Sequence, residues 1–280
     1  MFRILALTAL AMAAFAANSL LCRLALRDTA IDPAGFTFIR LLSGAIVLWL
    51  LVRLRSEPPA GRYGDWPGAF ALFGYAIAFS YAYVGLSAGA GALLLFGAVQ
   101  ATMILHGLWR GERLGAWQCL GLVLAIGGLV ALLLPGASAP APLPSALMIA
   151  AGMAWGVYSL LGRGNADALA TTAGNFVRSV PLATGAATLA LPWLEFDPRG
   201  CVLAALSGAL ASGMGYAIWY AALRALNATT AATVQLSVPV IAALGGVALL
   251  SEPLTLRLVL ASAATLGGIA LVIHMRRPGA

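Results

Sequence analysis

The sequence predicts an all-α membrane protein in which ten transmembrane helices form two inverted five-helix repeats. The composition gives the first indication: 62% of the residues are hydrophobic and 9% are charged, whereas about a quarter of a soluble domain is charged. The second is a set of short motifs that recur at a spacing near 140 residues. The third is the odd number of apolar stretches in each copy, which makes the second copy enter the membrane from the opposite side.

The repeated motifs divide the chain into two copies, which we place at residues 1–137 and 138–280. The segment NSLLCR at residues 18–23 recurs as YSLLGR at residues 158–163. Further pairs at or near that spacing are Gly127-Gly128 with Gly267-Gly268, Glu112 with Glu252, Phe38 and Arg40 with Phe176 and Arg178, and Gly74-Tyr75 with Gly215-Tyr216. Shared apolar composition alone does not explain several matches at one spacing, so the pattern indicates a duplicated unit.

The apolar stretches define the helices in chain order. A membrane core about 30 Å thick needs about 20 helical residues. Residues 66–109 and 114–162 contain no Arg, Lys, Asp or Glu, and each run is long enough to cross twice, so each turns back once. We expect these turns at residues 87–91 and at the proline-rich residues 135–144. With the remaining stretches, the predicted helices cover residues 4–26, 34–54, 66–86, 90–109, 115–134, 143–161, 171–193, 200–223, 228–250 and 256–275.

The first stretch has features of a signal peptide. Arg3 precedes an apolar run, and the alanine-rich residues 13–17 resemble a cleavage site. The copy of this stretch ends at Arg163, deep inside the chain, where no signal peptidase acts. We therefore expect helix 1 to be retained.

The arginines predict how the helices are oriented, because cytoplasmic loops carry an excess of basic residues. All 16 basic residues are arginines, and they are scattered at helix ends rather than clustered as a nucleic-acid surface would require. With both termini in the cytoplasm, ten arginines fall in inside segments, four in outside segments and two within helices. Both termini are therefore predicted to be cytoplasmic.

Aromatic and small polar side chains indicate a candidate substrate cavity between the copies. In helix 3, Tyr75 and Phe79 lie one turn apart, and Tyr216 and Tyr220 repeat this spacing in helix 8. Buried hydroxyl and amide groups need partners in hydrocarbon, so they gather on protein-facing or wet surfaces. We expect helices 1, 3, 4, 6, 8 and 9 to line the cavity, with helices 5 and 10 more peripheral. The predicted substrate-binding residues are Phe15, Asn18, Ser19, Tyr75, Phe79, Phe96, Gln100, Trp155, Tyr158, Ser159, Tyr216, Trp219, Tyr220 and Gln235. The alternative is that these rings form packing core.

Three further residues are candidates for bracing or gating. Arg40 and Arg178 are charges within helices, about 10 Å from the start of each at 1.5 Å per residue. At that depth a guanidinium can reach water or helix-end carbonyls, which favours a bracing role; the alternative is attraction of a carboxylate or gating. Pro239 follows Gln235 by four residues and frees a backbone carbonyl, which indicates either a functional hinge or a packed kink.

The nine acidic residues all fall in loops or at helix ends. A duplicated helical bundle is a frequent architecture of secondary transporters, whose site lies between the two halves. Proton-coupled carriers usually hold a buried carboxylate, so we expect transport down the substrate gradient, with His106 interfacial or packed. Cys22, Cys119 and Cys201 lack ligand spacing and are expected to be free thiols. No metal or cofactor is predicted.

An enzymatic alternative has little support. Gly85-Leu86-Ser87-Ala88-Gly89 matches G-x-S-x-G, but that motif needs a strand-to-helix turn with a histidine and an acid in reach. Here it lies at the turn between helices 3 and 4, and His106 is almost 30 Å further along helix 4 at 1.5 Å per residue. A phosphate loop and an HExxH motif are also absent from the sequence.

Taken together, the chain resembles the drug/metabolite transporter superfamily, specifically its ten-helix EamA-type members. The resemblance rests on the doubled five-helix unit, on the Phe-x-Arg motifs ending at Arg40 and Arg178, on an acid closing helices 4 and 9, and on Pro239. Val99 stands where the family has a second proline, in helix 4.

The resemblance implies a metabolite exporter of the bacterial inner membrane. The aromatic set is similar to that of the branch that exports aromatic and other hydrophobic amino acids. Its members here are Tyr75, Phe79, Trp155 and Tyr216. The implied partners are a small-molecule substrate and the lipid bilayer, without nucleic acid, and the protein is expected to act as a monomer. The alternatives are a carrier of nucleotides, sugar phosphates, drugs or lipids, an embedded enzyme, or a channel.

Overall fold

A computed structural model describes residues 2–55, 63–111, 113–136, 138–163, 165–226 and 228–275. Within these residues the chain forms ten long helices, as the sequence predicts. The first copy contributes α1 (Phe2–Asp28), α2 (Pro33–Arg53), α3 (Trp66–Tyr83), α4 (Ala88–Trp109) and α5 (Ala116–Leu133). The second contributes α6 (Pro142–Leu161), α7 (Ala168–Leu189), α8 (Pro198–Leu223), α9 (Ala228–Gln235 and Ser237–Leu250) and α10 (Leu256–His274).

Eight of these helices are long and apolar enough to cross a membrane by length and composition alone. The two exceptions are α3, with its tryptophan and tyrosines, and α7, with its threonines, asparagine and arginine. Both pack against α2 or against each other inside the bundle. Their lower hydropathy follows from this position, because a helix shielded by its neighbours can carry more polar groups.

Several of the acids predicted at helix ends are N-terminal caps. The carboxylates of Asp32, Asp65, Asp167 and Asp197 accept hydrogen bonds from backbone N–H groups in the first turns of α2, α3, α7 and α8. A cap of this kind is worth about 1 kcal/mol because it satisfies donors that a helix leaves open. These acids therefore define helix starts and stay out of the middle of the membrane.

Loop contacts show that the two copies are inverted. The backbone N–H of Asp32, between α1 and α2, donates to the carbonyl of Glu195, between α7 and α8, at 3.4 Å. The equivalent loop of the second copy, between α6 and α7, holds Asp167, which accepts from Arg55 at 2.8 Å. Asp32 and Arg55 lie at opposite ends of α2, about 30 Å apart at 1.5 Å per residue. Equivalent loops of the two copies therefore lie at opposite ends of the molecule.

The helices pack as two bundles that exchange members between the copies. The first bundle contains α3, α4 and α6, and the second contains their repeat counterparts α8, α9 and α1. Three pairs of equivalent helices, α2 with α7, α4 with α9 and α5 with α10, pack directly against each other. α5 and α10 approach each other closely: a Cβ on Gly121 would lie only 2.6 Å from the carbonyl oxygen of Gly268.

Two helices of the second bundle are irregular. α9 is interrupted after Gln235 because Pro239 has no N–H to bond the carbonyl four residues earlier. α8 contains a π-helical segment, Ser207–Met214, that packs on α2. A Cβ on Gly208 would lie 2.0 Å from the carbonyl oxygen of Arg40, so only glycine permits this approach. The predicted end of helix 7 is shortened: α7 stops at Leu189, and Leu191–Trp193 forms a separate 3₁₀ turn around Pro192.

Candidate functional site

A cavity of about 910 Å³ lies between the two bundles. Its wall is formed by side chains of α1, α3, α4, α6, α8 and α9, the six predicted helices, and also of α7. Gln118 of α5 and the last turn of α10 reach only its rim. All fourteen residues that the sequence predicts to bind a substrate lie on this wall.

Aromatic rings dominate the middle of the cavity. Trp155 stacks on Tyr216, with ring centroids 5.5 Å apart and planes 18° apart. On its other sides Trp155 contacts Tyr158 at 5.1 Å and Tyr75 at 4.8 Å. Such centroid separations are those of attractive ring pairs, and an extra planar solute ring could join the same stack.

A second group of rings continues this wall on the α1 side. Phe15 contacts Tyr216 at 5.7 Å and Trp219 at 6.1 Å, with the latter pair edge to face. Phe96 of α4, from the opposite bundle, packs against the hydrophobic cluster that contains Trp219. The rings thus come from both bundles, so a solute held between them would contact both.

Polar groups at one end of the cavity form a chain that runs from Tyr75 and Asn18 on the wall to Arg40 and Ser207 behind it. The hydroxyl of Tyr75 accepts hydrogen bonds from Asn18 Nδ2 at 3.2 Å and from Arg40 Nη2 at 2.9 Å. Asn18 Oδ1 in turn accepts from the Ser207 hydroxyl at 2.7 Å. This chain joins α1, α2, α3 and the π-helical segment of α8 at one point.

A second polar chain lies towards the other end of the cavity. Thr172 of α7 is hydrogen-bonded to Tyr158 at 3.2 Å and to Tyr220 at 2.8 Å. Nearby Asn175 also lines the wall, and its amide oxygen accepts the backbone N–H of Asp65. Sequence reasoning missed these α7 residues, although Thr171, Thr172 and Asn175 fall on one helical face. The placement of three polar residues on one face of this helix is the feature of the sequence that could have identified them.

The remaining polar candidates differ in how free they are to act. Gln100 is buried on the wall and Gln235 lies at the break of α9. The Ser159 hydroxyl already donates to the carbonyl of Trp155 at 2.8 Å. A hydroxyl bonded within its own helix has less capacity for a solute than an amide with two donors.

The three bracing or gating candidates lie outside the cavity lining. Arg178 donates to the carbonyls of Tyr63 and Gly174, which holds the chain before α3 against α7. The expectation that the guanidinium of Arg40 reaches water is wrong. Its side chain is turned inward, and Arg40 is 2% exposed. Its guanidinium lies over the rings of Phe79 and Tyr75, 4.8 and 5.2 Å from their centroids. Depth along a helix did not predict this, because it does not specify the face.

The cavity opens at one end of the molecule. Its lining extends to Arg110 after α4, and to Arg163 and Asn165 after α6, but includes nothing from the opposite helix ends. His106 lies at the same mouth, 6.1 Å from Trp109 between ring centroids. We call the end that carries these residues the open end.

An ion pair seals the opposite, closed end. Arg23 Nε donates to Glu252 Oε1 at 2.9 Å, and its Nη1 donates to the carbonyls of Tyr83 and Val84. The other oxygen of Glu252 accepts the backbone N–H of Ala88 at 2.8 Å. Ser251 ends α9 in the left-handed conformation (φ 53°) and turns Glu252 back over it. One pair therefore ties the ends of α1, α3, α4 and α9.

The chemistry available on the cavity wall is that of binding. Among the lining residues that the structure describes there is no carboxylate, and the described chain contains no cluster of His, Cys, Asp or Glu that could hold a metal ion. The aromatic faces, amides and hydroxyls of this wall are groups that can hold a small solute.

Two inverted five-helix copies around a central cavity open at one end define a polytopic membrane carrier. Comparison with known families agrees with this class: residues 2–134 and 143–274 each match the EamA-like transporter family. The chain belongs to the EamA-like transporter family.

The chain is also similar to individual proteins. An uncharacterised protein of Pseudomonas aeruginosa is 60% identical over 278 residues, covering 98% of this chain and 96% of that protein. An uncharacterised transporter of Archaeoglobus fulgidus is 28% identical over 234 residues, covering 77% of this chain and 80% of its own. A protein of known crystal structure shares the fold, with a TM-score of 0.65, 20% identity, and coverage of 94% of this chain and 98% of that one.

Proposed function

We propose that the protein exports amino acids with aromatic or other large apolar side chains by alternating access through the central cavity. The observation that supports this most is the stack of Trp155, Tyr216, Tyr158 and Tyr75 on the cavity wall. Pockets for small molecules measure about 300–1,000 Å³ and combine apolar walls with few polar groups. The cavity, at about 910 Å³, has this size and this character.

Alternating access is supported by the symmetry of the fold. In this conformation the cavity is open at the end with Arg110 and Arg163 and sealed at the end with Arg23 and Glu252. Because the two bundles are related by the inverted repeat, exchanging their roles exchanges the two ends. Rocking of one bundle against the other would then present the same cavity to the other side of the membrane.

The direction of the open end follows from charge. The open end carries Arg53, Arg55, Arg110, Arg163 and Arg224, in segments predicted to be cytoplasmic. We propose that the protein lies in a bacterial inner membrane with both termini in the cytoplasm, that this conformation faces inward, and that a single chain is the working unit.

Transport is proposed to be driven by the substrate gradient alone. Proton-coupled carriers usually hold a buried acid that binds the proton in one state and releases it in another. The described cavity wall supplies none, and His106 lies at the mouth rather than among the stacked rings.

Purified protein in liposomes tests the proposal. We expect counterflow of labelled tryptophan, phenylalanine and leucine, with much slower exchange of glycine and of sugar phosphates. A protonophore should leave uptake unchanged while the substrate gradient is intact. Exchange of sugar phosphates but not of amino acids would refute the assigned cargo, and collapse of uptake by the protonophore would refute the facilitative mechanism.

A further inference from the structure

The guanidinium of Arg40 is a buried cation that has no acidic partner among the described residues. Its side chain is 2% exposed, and none of the ion pairs among the described residues includes it. One nitrogen, Nη2, donates to Tyr75, while Nε and Nη1 have no protein acceptor in the described chain. The rings of Tyr75 and Phe79 offset part of the charge, but a ring face is a weaker counterpart than an anion.

Tyr75 connects this charge to the cavity. Its hydroxyl oxygen accepts two hydrogen bonds, from Arg40 and from Asn18, so its own proton remains to be donated. No described residue accepts that proton, and Tyr75 lies on the cavity wall. A phenol that accepts from a guanidinium is polarised, which makes it a stronger donor, above all to an anionic oxygen.

The charges around the cavity also favour a solute that carries a negative charge. The lining residues described by the structure include Arg110 and Arg163 at the mouth and no carboxylate anywhere. A purely cationic solute would be repelled by Arg40 behind Tyr75 at one end and by these arginines at the other. A carboxylate would be attracted at both.

We propose that Tyr75, polarised by Arg40 and held by Asn18, is the carboxylate subsite of the cavity. This proposal rests on the proposed function and makes it more specific: the transported solute must carry a carboxylate, and its apolar body lies on Trp155 and Tyr216. The ammonium group of an amino acid would lie against ring faces, which attract cations without a counter-ion. Tyr75 contacts the solute, and Arg40 is a positioning residue that acts through it.

Matched solutes test the subsite without changing the protein. Tryptophan, its amide and its methyl ester share one aromatic body, but only tryptophan carries a carboxylate. Inhibition of labelled leucine counterflow by each compound gives three affinities. We expect tryptophan to bind about tenfold or more tightly than the amide, since a charge-assisted hydrogen bond is replaced by a neutral one. Equal inhibition by the three compounds would overturn the subsite while leaving transport established. If none of them inhibits and leucine does not exchange, the proposed function fails and the subsite with it.

Variants test the residues. Tyr75→Phe removes the hydroxyl, and Arg40→Gln removes the charge behind it; both should bring the tryptophan-to-amide ratio close to one, and Arg40→Lys should restore part of it. Tyr220→Phe is the matched control, because it removes a hydroxyl from the same cavity at the Thr172 chain. We expect it to leave the ratio unchanged, whatever its effect on affinity.

The ratio separates a chemical role from a structural one. A variant that merely loosens the fold weakens tryptophan and its amide equally, so its ratio stays that of the wild type. If Arg40→Gln does not fold, Tyr75→Phe still decides, because it keeps the ring that packs on Phe79 and Trp155. An unchanged ratio in Tyr75→Phe would overturn the proposal.

Discussion

At the scale of single residues, the candidate site consists of aromatic rings that pack against one another and also face the cavity. Tyr75, Tyr158, Tyr216 and Trp219 are each 5–7% exposed, so most of their surface is already packed. Trp155 contacts three of the other rings. A solute that enters therefore meets a wall that is largely organised beforehand, which lowers the entropic cost of binding.

The first prediction concerns Trp155. Trp155→Ala should lower kcat/KM for tryptophan counterflow about tenfold, because a ring pair between Trp155 and the solute contributes about 0.5–1.5 kcal/mol beyond area burial, and about 1.4 kcal/mol corresponds to a factor of ten. Trp155→Phe should retain most of the activity. Trp117→Ala is the control, because Trp117 lies on α5 at 62% exposure and away from the cavity. Normal tryptophan transport by a well-folded Trp155→Ala protein would remove this residue from the site.

Arg40 shows what residue-level reasoning could not supply. The repeat identified it as one of two arginines within helices, and helix geometry gave its depth. Its inward direction depends on α8, where Gly208 lets the backbone approach α2, and on the ring faces of α3. These are tertiary contacts, which the local sequence around Arg40 does not contain.

At the scale of helices, the closed end depends on the Arg23–Glu252 pair. Its side chains are only 14% and 8% exposed. Removing one member of such a pair leaves an uncompensated charge, which costs about 3–5 kcal/mol. This is large compared with the few kcal/mol that separate the states of a two-state protein.

The second prediction is that Arg23→Ala opens this end. Cys22 is fully buried next to Arg23, so its thiol can report the opening once Cys119 and Cys201 are replaced by alanine. Labelling of Cys22 by a small thiol reagent should be slow in this background and at least about tenfold faster with Arg23→Ala. Asp28→Asn, which disrupts only an exposed pair with Arg27, is the control and should leave the rate unchanged. Equal rates with and without Arg23 would show that the pair does not hold the end closed.

The third prediction concerns the break in α9. Pro239→Ala restores the missing N–H and should join Ala228–Gln235 to Ser237–Leu250 as one continuous helix. We expect a higher melting temperature and a lower turnover number, with the substrate affinity little changed, if bending of α9 accompanies transport. Thermal unfolding and counterflow on the same preparation measure both. Pro181→Ala, in the uninterrupted α7, is the comparison variant and should not slow turnover. Undiminished turnover in Pro239→Ala would make the break a packed kink.

The two irregular helices illustrate the limits of prediction from sequence. The interruption after Gln235 was predictable, because proline acts on its own helix. The π-helical segment of α8 contains no proline, and it follows from close packing on α2 that only the assembled bundle creates. By contrast with the π-helical segment, the ten helices and the cavity-lining rings could be predicted, from the apolar runs and the repeat. The contribution of α7 to the cavity wall could not be predicted in this way, because the hydrogen-bond partners of its hydroxyl group lie on α6 and α8.

At the scale of the whole molecule, the inverted repeat relates the bundle of α3, α4 and α6 to the bundle of α8, α9 and α1. The cavity lies between them, and the ion pair at the closed end links members of both. Closing one end while opening the other then needs one rigid movement rather than two independent ones.

Distances at the two ends test this coupling most directly. Spin labels at Val84 and Leu249 span the closed end between the bundles, and labels at Trp109 and Ala225 span the open end; all four positions are exposed. Pulsed electron paramagnetic resonance of each pair, with and without Arg23→Ala, gives both distances in lipid. We predict that the variant lengthens the closed-end distance and shortens the open-end distance in the same fraction of molecules. A longer closed-end distance with an unchanged open-end distance would mean that both ends open together, and would contradict alternating access.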